Sequence, residues 1–346
     1  MSAIAPLQGS ELEEHSHSPE ALRVGLLGCG TVGSHVAGAL LSDADVLTRA
    51  AGVRLELARV AVRDPFKVRP VNLAPGLVTP DALAIAIDPG IDVIVEVMGG
   101  SEPAHAAILA ALGDNKSVVT ANKELLAGIG AGLLDDPGSD LHYEASVCGA
   151  IPIVRTLKEY CSADRIEGFT GIFSGTCNFV LSQMTRTRCS FEEALVLAQH
   201  LGFAEADPAA DIDGFDSAAK VALLARIAFS QPLTIEDVDR RGIAGIGRQE
   251  IDGASSDGLV YRLVGGARRV GERIDLWVRP ELVPNDDAFA RVEGTENAVF
   301  VETARAGSLR LFGTGAGGEP TAAAIVSDLI TVARTRVRAR RVPVCR

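Results

Sequence analysis

Aromatic side chains are scarce in this sequence, 4% of 346 residues with a single Trp. Proteins that grip single-stranded nucleic acid stack bases on aromatic rings, so no such platform is expected. Net positive charge is missing as well. The balance is −12 at pH 7, which opposes a broad phosphate-binding face. No apolar run reaches the roughly 18–20 residues that span a bilayer; the best stretch, 82–98, is cut by Asp88, Asp92 and Glu96. Residues 1–20 contain acids and two histidines but no basic start and no apolar centre, and read as a mobile leader, not a secretory signal. The six cysteines (29, 148, 161, 177, 189 and 345) include no CxxC pair. Disulfide and thiolate-metal frameworks therefore fit badly, and a reducing cytoplasm fits well.

What remains is a globular composition, 47% hydrophobic and 23% charged, in a chain long enough for two domains. A short apolar strand, 22–27, runs directly into Gly28-Cys29-Gly30-Thr31-Val32-Gly33 and then a helix over 34–41. This is GxGxxG between a strand and a helix. Gly28 permits the tight turn, Gly30 lets the backbone approach a pyrophosphate, and Gly33 lets helix and strand pack closely. A second strand, 54–62, ends at Arg63 followed by Asp64, with Lys67 and Arg69 beyond. An acid at that strand end binds a free ribose 2′-hydroxyl and an arginine accommodates a 2′-phosphate, so NADP is favoured over NAD because Arg63 comes first. Surface charge alone also explains Lys67 and Arg69.

The strand 92–98 ends at Gly99-Gly100, and a helix over 103–112 leads to strand 117–120 and then Ala121-Asn122-Lys123. In an open parallel sheet, strand C-termini are where cofactor and substrate meet, which raises the standing of Lys123. A further strand is expected over 141–145 and a helix over 153–160. From about residue 165 the pattern changes. A strand over 166–173 and helices over 179–184 and 192–201 precede alternating runs at 258–267, 274–283, 298–303 and 308–312, which predict an antiparallel sheet packed by helices. A glycine-rich turn from Gly313 precedes a last helix, 322–333, and an arginine-rich tail is read as a frayed end. The expected fold class is an α/β Rossmann nucleotide-binding domain plus an α+β substrate and dimerisation domain. The boundaries are a leader 1–20, the nucleotide domain 21–150 completed by 313–335, the second domain 151–312, and a basic tail 336–346.

One stretch, Gly202 to Lys220, places Glu205, Asp207, Asp211, Asp213 and Asp216 in twelve residues. Pro208 and Gly214 make its first part a loop, and a helical apolar pattern follows. Asp216 and Lys220 are then four apart on one helix face. Spacing alone leaves two readings open, a solvated ion pair or a catalytic pair.

The motifs taken in order are GCGTVG, VEVMGGSEPA, VVTANKELLA, YEASVCGAIPIV, GIFSGTCNFVLSQM, the acidic GFAEADP block ending in Lys220, and GTGAGGEPTAAA. Together, over about 22–335, they resemble homoserine dehydrogenase in its short form without a regulatory module. The resemblance implies NAD(P)-dependent interconversion of L-homoserine and L-aspartate 4-semialdehyde, a step of threonine and methionine biosynthesis, and a homodimer. It implies Lys220 as general acid/base with Lys123 as its companion. Glu205 and Asp216 correspond to the residues that hold the substrate amino group, with Asp211 in the same wall and Gly175 and Thr176 lining the pocket. Cofactor contacts fall on residues 28–33, Arg63, Gly100, Lys123, Gly202 and Gly317. The resemblance also implies a structural sodium ion at Glu144, Val147, Gly149 and Ile151; oxygen ligands around a turn suit a hard cation. Ser174 and Phe203 depart from the residues common in the family, and no regulatory module is expected after residue 335.

A lysine acting as base must lose its proton near the working pH. The expectation is therefore that Lys123, as a second cation, lowers Lys220, and that Asp216 turns to the substrate ammonium more than to Lys220. Two rival readings remain at this stage: another amino-acid or semialdehyde dehydrogenase on the same scaffold, and a dinucleotide sensor without activity. Loss of the lysines or carboxylates would mark the sensor, and none is lost.

Overall fold

Strand β1 (Ala21–Leu27) is buried on both sides, which is why it reads as a nearly continuous apolar run. The computed structural model describes residues 21–128, 131–134, 136 and 138–341; the leader 1–20 and the last five residues lie outside them. Around β1 is built a parallel sheet with β2 (Arg54–Ala61), β3 (Val78–Thr79), β4 (Val93–Glu96), β5 (Ser117–Thr120) and β6 (Leu141–His142). Its order is β3-β2-β1-β4-β5-β6, the doubly wound arrangement whose switch point lies between β1 and β4. One face packs Leu22, Val24, Leu26, Val93 and Val95 against helices α1 (Thr31–Ser42) and α2 (Ala44–Ala51) and the last helix of the chain. The other packs Ile94 and Val118 against α3 (Ala82–Ala86) and α4 (Ala104–Gly113). Helix α5 (Lys123–Ala127) starts three residues after β5 ends.

The second sheet contains β7 (Ile166–Ile172), β8 (Val238–Arg240), β9 (Leu259–Val270), β10 (Arg273–Pro284), β11 (Glu296–Thr303) and β12 (Gly307–Thr314), in the order β12-β11-β7-β9-β10-β8. It is antiparallel except at one edge, where β8 pairs parallel with β10. Helices α6 (Ile153–Arg155), α7 (Gly175–Thr187), α8 (Phe191–His200), α9 (Ala209–Ile212), α10 (Phe215–Phe229) and α11 (Arg248–Ser256) belong to this half. The face toward α7 and α10 carries Phe169, Leu263, Leu276, Val278 and Val299. Along each strand the alternate residues point the other way.

Three of the elements that differ from the sequence expectation have a clear physical reason. The strand expected over 141–145 stops at His142, and 144–146 form a 3₁₀ turn. The Glu144 amide donates to Asp328 at 3.0 Å and its carboxylate accepts from the amides of Val154 and Arg155, which pulls the chain out of the sheet. The helix expected over 153–160 is α-helical only to Arg155 and then widens to a π-helix, Thr156–Tyr160. The last helix, α12 (Gly318–Arg341), is longer than expected at both ends. It lies against α1 and α2, and Arg334 and Arg336 in it donate to the carbonyls of Ala50 and Asn115, so the arginines ordered there are helix anchors.

Candidate active site

Lys220 lies on α10, a helix that is buried almost all round. Ala218, Val221, Ala222, Leu224 and Ala225 fill the core on its flanks, and Gly214 at φ 80° starts it. A lysine in such a helix is only 8% exposed and needs partners. Its Nζ lies 2.7 Å from Asp216 Oδ2 and donates to the Phe173 carbonyl at 2.6 Å. The other Asp216 oxygen, Oδ1, lies 3.2 Å from Lys123 Nζ. Lys123 is the first residue of α5, at the C-terminal edge of the nucleotide sheet. One buried carboxylate therefore bridges two lysines, one from α5 and one from α10.

The charges follow from this geometry. Burial, the largest influence on Lys220, pushes its ammonium down, but Asp216, then Cys148 and Asp211, together outweigh it and hold the ammonium above the ordinary lysine value. Burial likewise pushes Asp216 up and is outweighed by Lys220 and Lys123, so its carboxyl is held below the ordinary range. One expectation is corrected here: Lys220 is not lowered on balance, because the Asp216 carboxylate that it shares with Lys123 outweighs burial. The reason is desolvation: a carboxylate this buried is stable only with cations at hydrogen-bond distance.

Asp211 forms a second acidic centre. Ser174 donates to its Oδ1 at 3.0 Å, and Thr176 Oγ1 lies 3.1 Å from its Oδ2 and 2.7 Å from the Phe203 carbonyl. A hydroxyl carries one proton, so Thr176 can donate to only one of these at a time. Burial, reinforced by Asp216, pushes the Asp211 carboxyl up. Ser174 also caps α7 by accepting from the Cys177 amide, and Gly175 next to it is pressed against the Thr295 carbonyl. Ser174 and the Phe173 and Phe203 carbonyls were not among the expected site residues. The S-G-T-C run after a strand was a readable N-cap signal for Ser174, but nothing local marks a carbonyl that will hold a lysine. Glu205 makes no bond to this cluster. Its side chain is exposed and bonds to no described residue, and only its carbonyl is used, by Gln199.

The dinucleotide fingerprint has the contacts its glycines require. A Cβ on Gly28 (φ 102°) would come 2.7 Å from the Val97 carbonyl, and one on Gly33 would come 2.1 Å from the Gly28 carbonyl. Gly30 faces open space, with nothing within 4 Å. A backbone free to approach a pyrophosphate at the start of α1 fits a dinucleotide. Thr31 and Val32 line a cavity of about 450 Å³ whose other wall carries Lys123, Lys220 and Cys148. Cys29 is buried beneath that turn, against Ser34. Gly100 (φ 72°) lies in the turn after β4, Gly202 (φ 77°) follows α8, and Gly317 (φ 123°) precedes α12; the cavity wall itself holds Gly315 and Ala316. A larger groove, about 810 Å³ between α1 and α12, contains neither lysine. At the ribose end Arg63 is exposed and bonds to no described residue. The Asp64 carboxylate accepts from the Phe66 amide, and Arg69 donates to the carbonyls of Lys67 and Asp64. Arg69 thus pins the loop, and the exposed side chains of Arg63 and Lys67 bond to no described residue.

In the 144–151 loop, both Glu144 carboxylate oxygens accept backbone amides at 2.8 Å, from Val154 and Arg155. Burial pushes this carboxyl up to about 7 in spite of those donors. The carbonyls of Val147 and Gly149 receive no backbone N–H from a described residue, while those of Glu144 and Ile151 each receive one. Carbonyl oxygens with lone pairs to spare fit a hard monovalent cation, whereas the Glu144 carboxylate is committed to the helix start. Among the described residues no group of three or more His, Cys, Asp or Glu side chains is placed to hold a metal.

Known proteins resemble this chain over most of its length. A family model described as "Homoserine dehydrogenase" matches residues 152–330, and one described as "Homoserine dehydrogenase, NAD binding domain" matches 28–136. The chain is 42% identical to the homoserine dehydrogenase of Bacillus subtilis over 90% of its own length and 73% of that protein. It superposes on the crystal structure of a homoserine dehydrogenase from Thiobacillus denitrificans with a TM-score of 0.85 and 39% identity, covering 93% of this chain and 76% of that one. A hyperthermophilic archaeal homoserine dehydrogenase in complex with NADPH shares the fold, at TM-score 0.72 and 23% identity over 90% of this chain and 97% of that one.

Proposed function

This chain belongs to the homoserine dehydrogenase family, NAD(P)-dependent oxidoreductases that act on a CH–OH group, and we propose that its chemistry runs through Lys220 and Lys123 on either side of Asp216. The observation that carries the reading is the single carboxylate shared by lysines from α5 and α10. The dinucleotide supplies the acceptor or donor of the hydride. Lys220, held as an ammonium, gives a proton to the oxygen of the semialdehyde carbonyl as it becomes a hydroxyl, and takes it back in the direction of oxidation. Lys123, at the edge nearest the cofactor, holds the same oxygen. Asp216 takes the substrate ammonium, joined by Glu205 from the loop after α8. Asp211, braced by Ser174 and Thr176, shapes the floor beneath them.

Arg63 favours NADP, in keeping with the archaeal relative in complex with NADPH. A sodium ion is held by the carbonyls of Glu144, Val147, Gly149 and Ile151, with a structural role. The partner is a second copy of this chain, through the outward face of the second sheet. Across that face Arg310, Phe300, Thr170, Gly266 and Trp277 stand in register, with Phe289 stacked on Phe300 at 4.3 Å. Two such faces related by a twofold axis cover each other. Trp277→Arg is expected to yield a monomer by light scattering, and a variant that stays dimeric removes this interface. No helix among the described residues is long and apolar enough to cross a membrane. On the scattered cysteines the reaction is assigned to the cytoplasm, and on the family resemblance it is assigned to threonine and methionine biosynthesis.

The test is oxidation of L-homoserine with NADP and with NAD, each with and without sodium. Homoserine is expected to react, aspartate and lactate not, with NADP preferred by about tenfold or more in kcat/KM, the worth of one charge-assisted arginine–phosphate contact. Turnover of aspartate or lactate in place of homoserine rules out the reading.

A further inference from the structure

Beneath the cofactor-side turn lies a buried polar network that the reaction as described does not use. Glu96, at the end of β4, is 0% exposed; Thr120, at the end of β5, is 0% exposed; Asn122 is 6% exposed. Glu96 accepts from the Met98 amide at 2.8 Å and from the Thr120 hydroxyl at 2.7 Å. Thr120 Oγ1 in turn accepts from the Asn122 amide at 3.0 Å. The Asn122 side chain uses both ends: Nδ2 donates to the Gly100 carbonyl at 2.7 Å, and Oδ1 accepts from the Leu125 amide at 3.1 Å, capping α5. The turn it reaches, Gly99-Gly100, has two successive left-handed residues, at φ 73° and 72°. Such a glycine pair has little stiffness of its own and takes its shape from what binds it.

We propose that Asn122 is a positioning residue that locks the Gly99–Gly100 turn to the first residue of α5, so that the cofactor-side loop and Lys123 keep one fixed separation. Lys123 needs such a device. Its side chain is 31% exposed against 10% for Lys220, and its only ion pair among the described residues is the 3.2 Å contact with Asp216. A stem held at its Cα by the neighbouring buried amide leaves fewer positions for Nζ, and reacting groups lose rate steeply when displaced by about 1 Å. The inference rests on the role given above to Lys123.

A cap for α5 is the plainer account of Asn122, and one substitution separates the two. Asn122→Ser keeps an N-cap oxygen but is too short to reach the Gly100 carbonyl, whereas Asn122→Ala loses both bonds. Steady-state homoserine oxidation and thermal melting are measured for both variants, for Lys123→Ala, and for Lys123→Ala combined with Asn122→Ser. The expected result is a kcat about tenfold or more below wild type in Asn122→Ser, with a melting temperature closer to wild type than that of Asn122→Ala and little change in KM for NADP. In the Lys123→Ala background Asn122→Ser is expected to cost little further rate, since its effect passes through Lys123. A wild-type kcat in Asn122→Ser, beside a slow Lys123→Ala, overturns the inference alone. So does an undiminished loss in the double variant. A wild-type kcat in Lys123→Ala overturns the role of Lys123 and this inference with it.

Discussion

Lys220→Ala is expected to lower kcat for homoserine oxidation by about 10²–10⁴-fold, the usual share of a positioned general acid/base, in a protein that stays folded. Alanine suits a buried helix, and Asp216 keeps Lys123 as its cation, so no carboxylate is left buried without a partner. Lys220→Arg is expected to fail as well, because a guanidinium cannot give up its proton in a protein. The pH dependence carries a sign. Asp216 holds the Lys220 ammonium above its ordinary value, so wild-type oxidation, which needs the amine neutral, rises with pH on the alkaline side. Reduction of the semialdehyde, which needs the ammonium, is favoured toward lower pH. The alkaline rise in oxidation is expected to disappear in Lys220→Ala. A variant that remains folded and keeps wild-type turnover rules out Lys220 as acid/base.

Asp216→Asn is expected to act on binding and on stability together. Losing one partner of a buried, hydrogen-bonded charge pair costs about 2–5 kcal/mol, so KM for homoserine is expected to rise by about 30-fold or more. The same change leaves Lys220 buried with neutral acceptors in place of its bonded carboxylate, which predicts a loss of about 3–5 kcal/mol in unfolding free energy. Asp216 is depressed in the folded state, so its contribution is present above the unfolded carboxyl value and is lost as pH falls through the folded one. Lys220 is raised, so its contribution is complete below the unfolded lysine value and is lost as pH rises through the folded one. The pair therefore stabilises the protein across the neutral range, and the Asn variant is expected to lose that plateau in melts against pH. With Asp216 gone, burial dominates Lys220, and the alkaline rise in oxidation is expected to move to lower pH. An unchanged KM in Asp216→Asn removes the ammonium site.

The parts of this arrangement differ in how far they could be read from sequence. The strand, fingerprint and helix at 22–41 are local, and each glycine there answers a steric demand within a few residues or from the adjoining strand. The i, i+4 spacing of Asp216 and Lys220 is equally local. What spacing could not show is that Lys123, far away in the chain, closes on the same carboxylate. The 141–145 segment has a strand-like pattern, and yet Glu144 is needed by the amides of Val154 and Arg155 and by Asp328 on α12. A tertiary demand of that kind leaves no periodicity. The Ser174 and Thr176 bonds to Asp211 were hidden for the same reason, since the loop that brings Asp211 back to α7 follows a separate helix.

The central claim is that Asp216 exchanges a lysine contact for the substrate ammonium while Lys220 meets the reacting hydroxyl. It is tested most directly by a crystal structure of the protein with L-homoserine and oxidised cofactor. The predicted result is the amino group within about 2.6–3.2 Å of the Asp216 carboxylate and the C4 hydroxyl at the same reach from Lys220 Nζ. A homoserine bound with its hydroxyl away from Lys220, or with its amino group held elsewhere while Asp216 still bridges the two lysines, contradicts it.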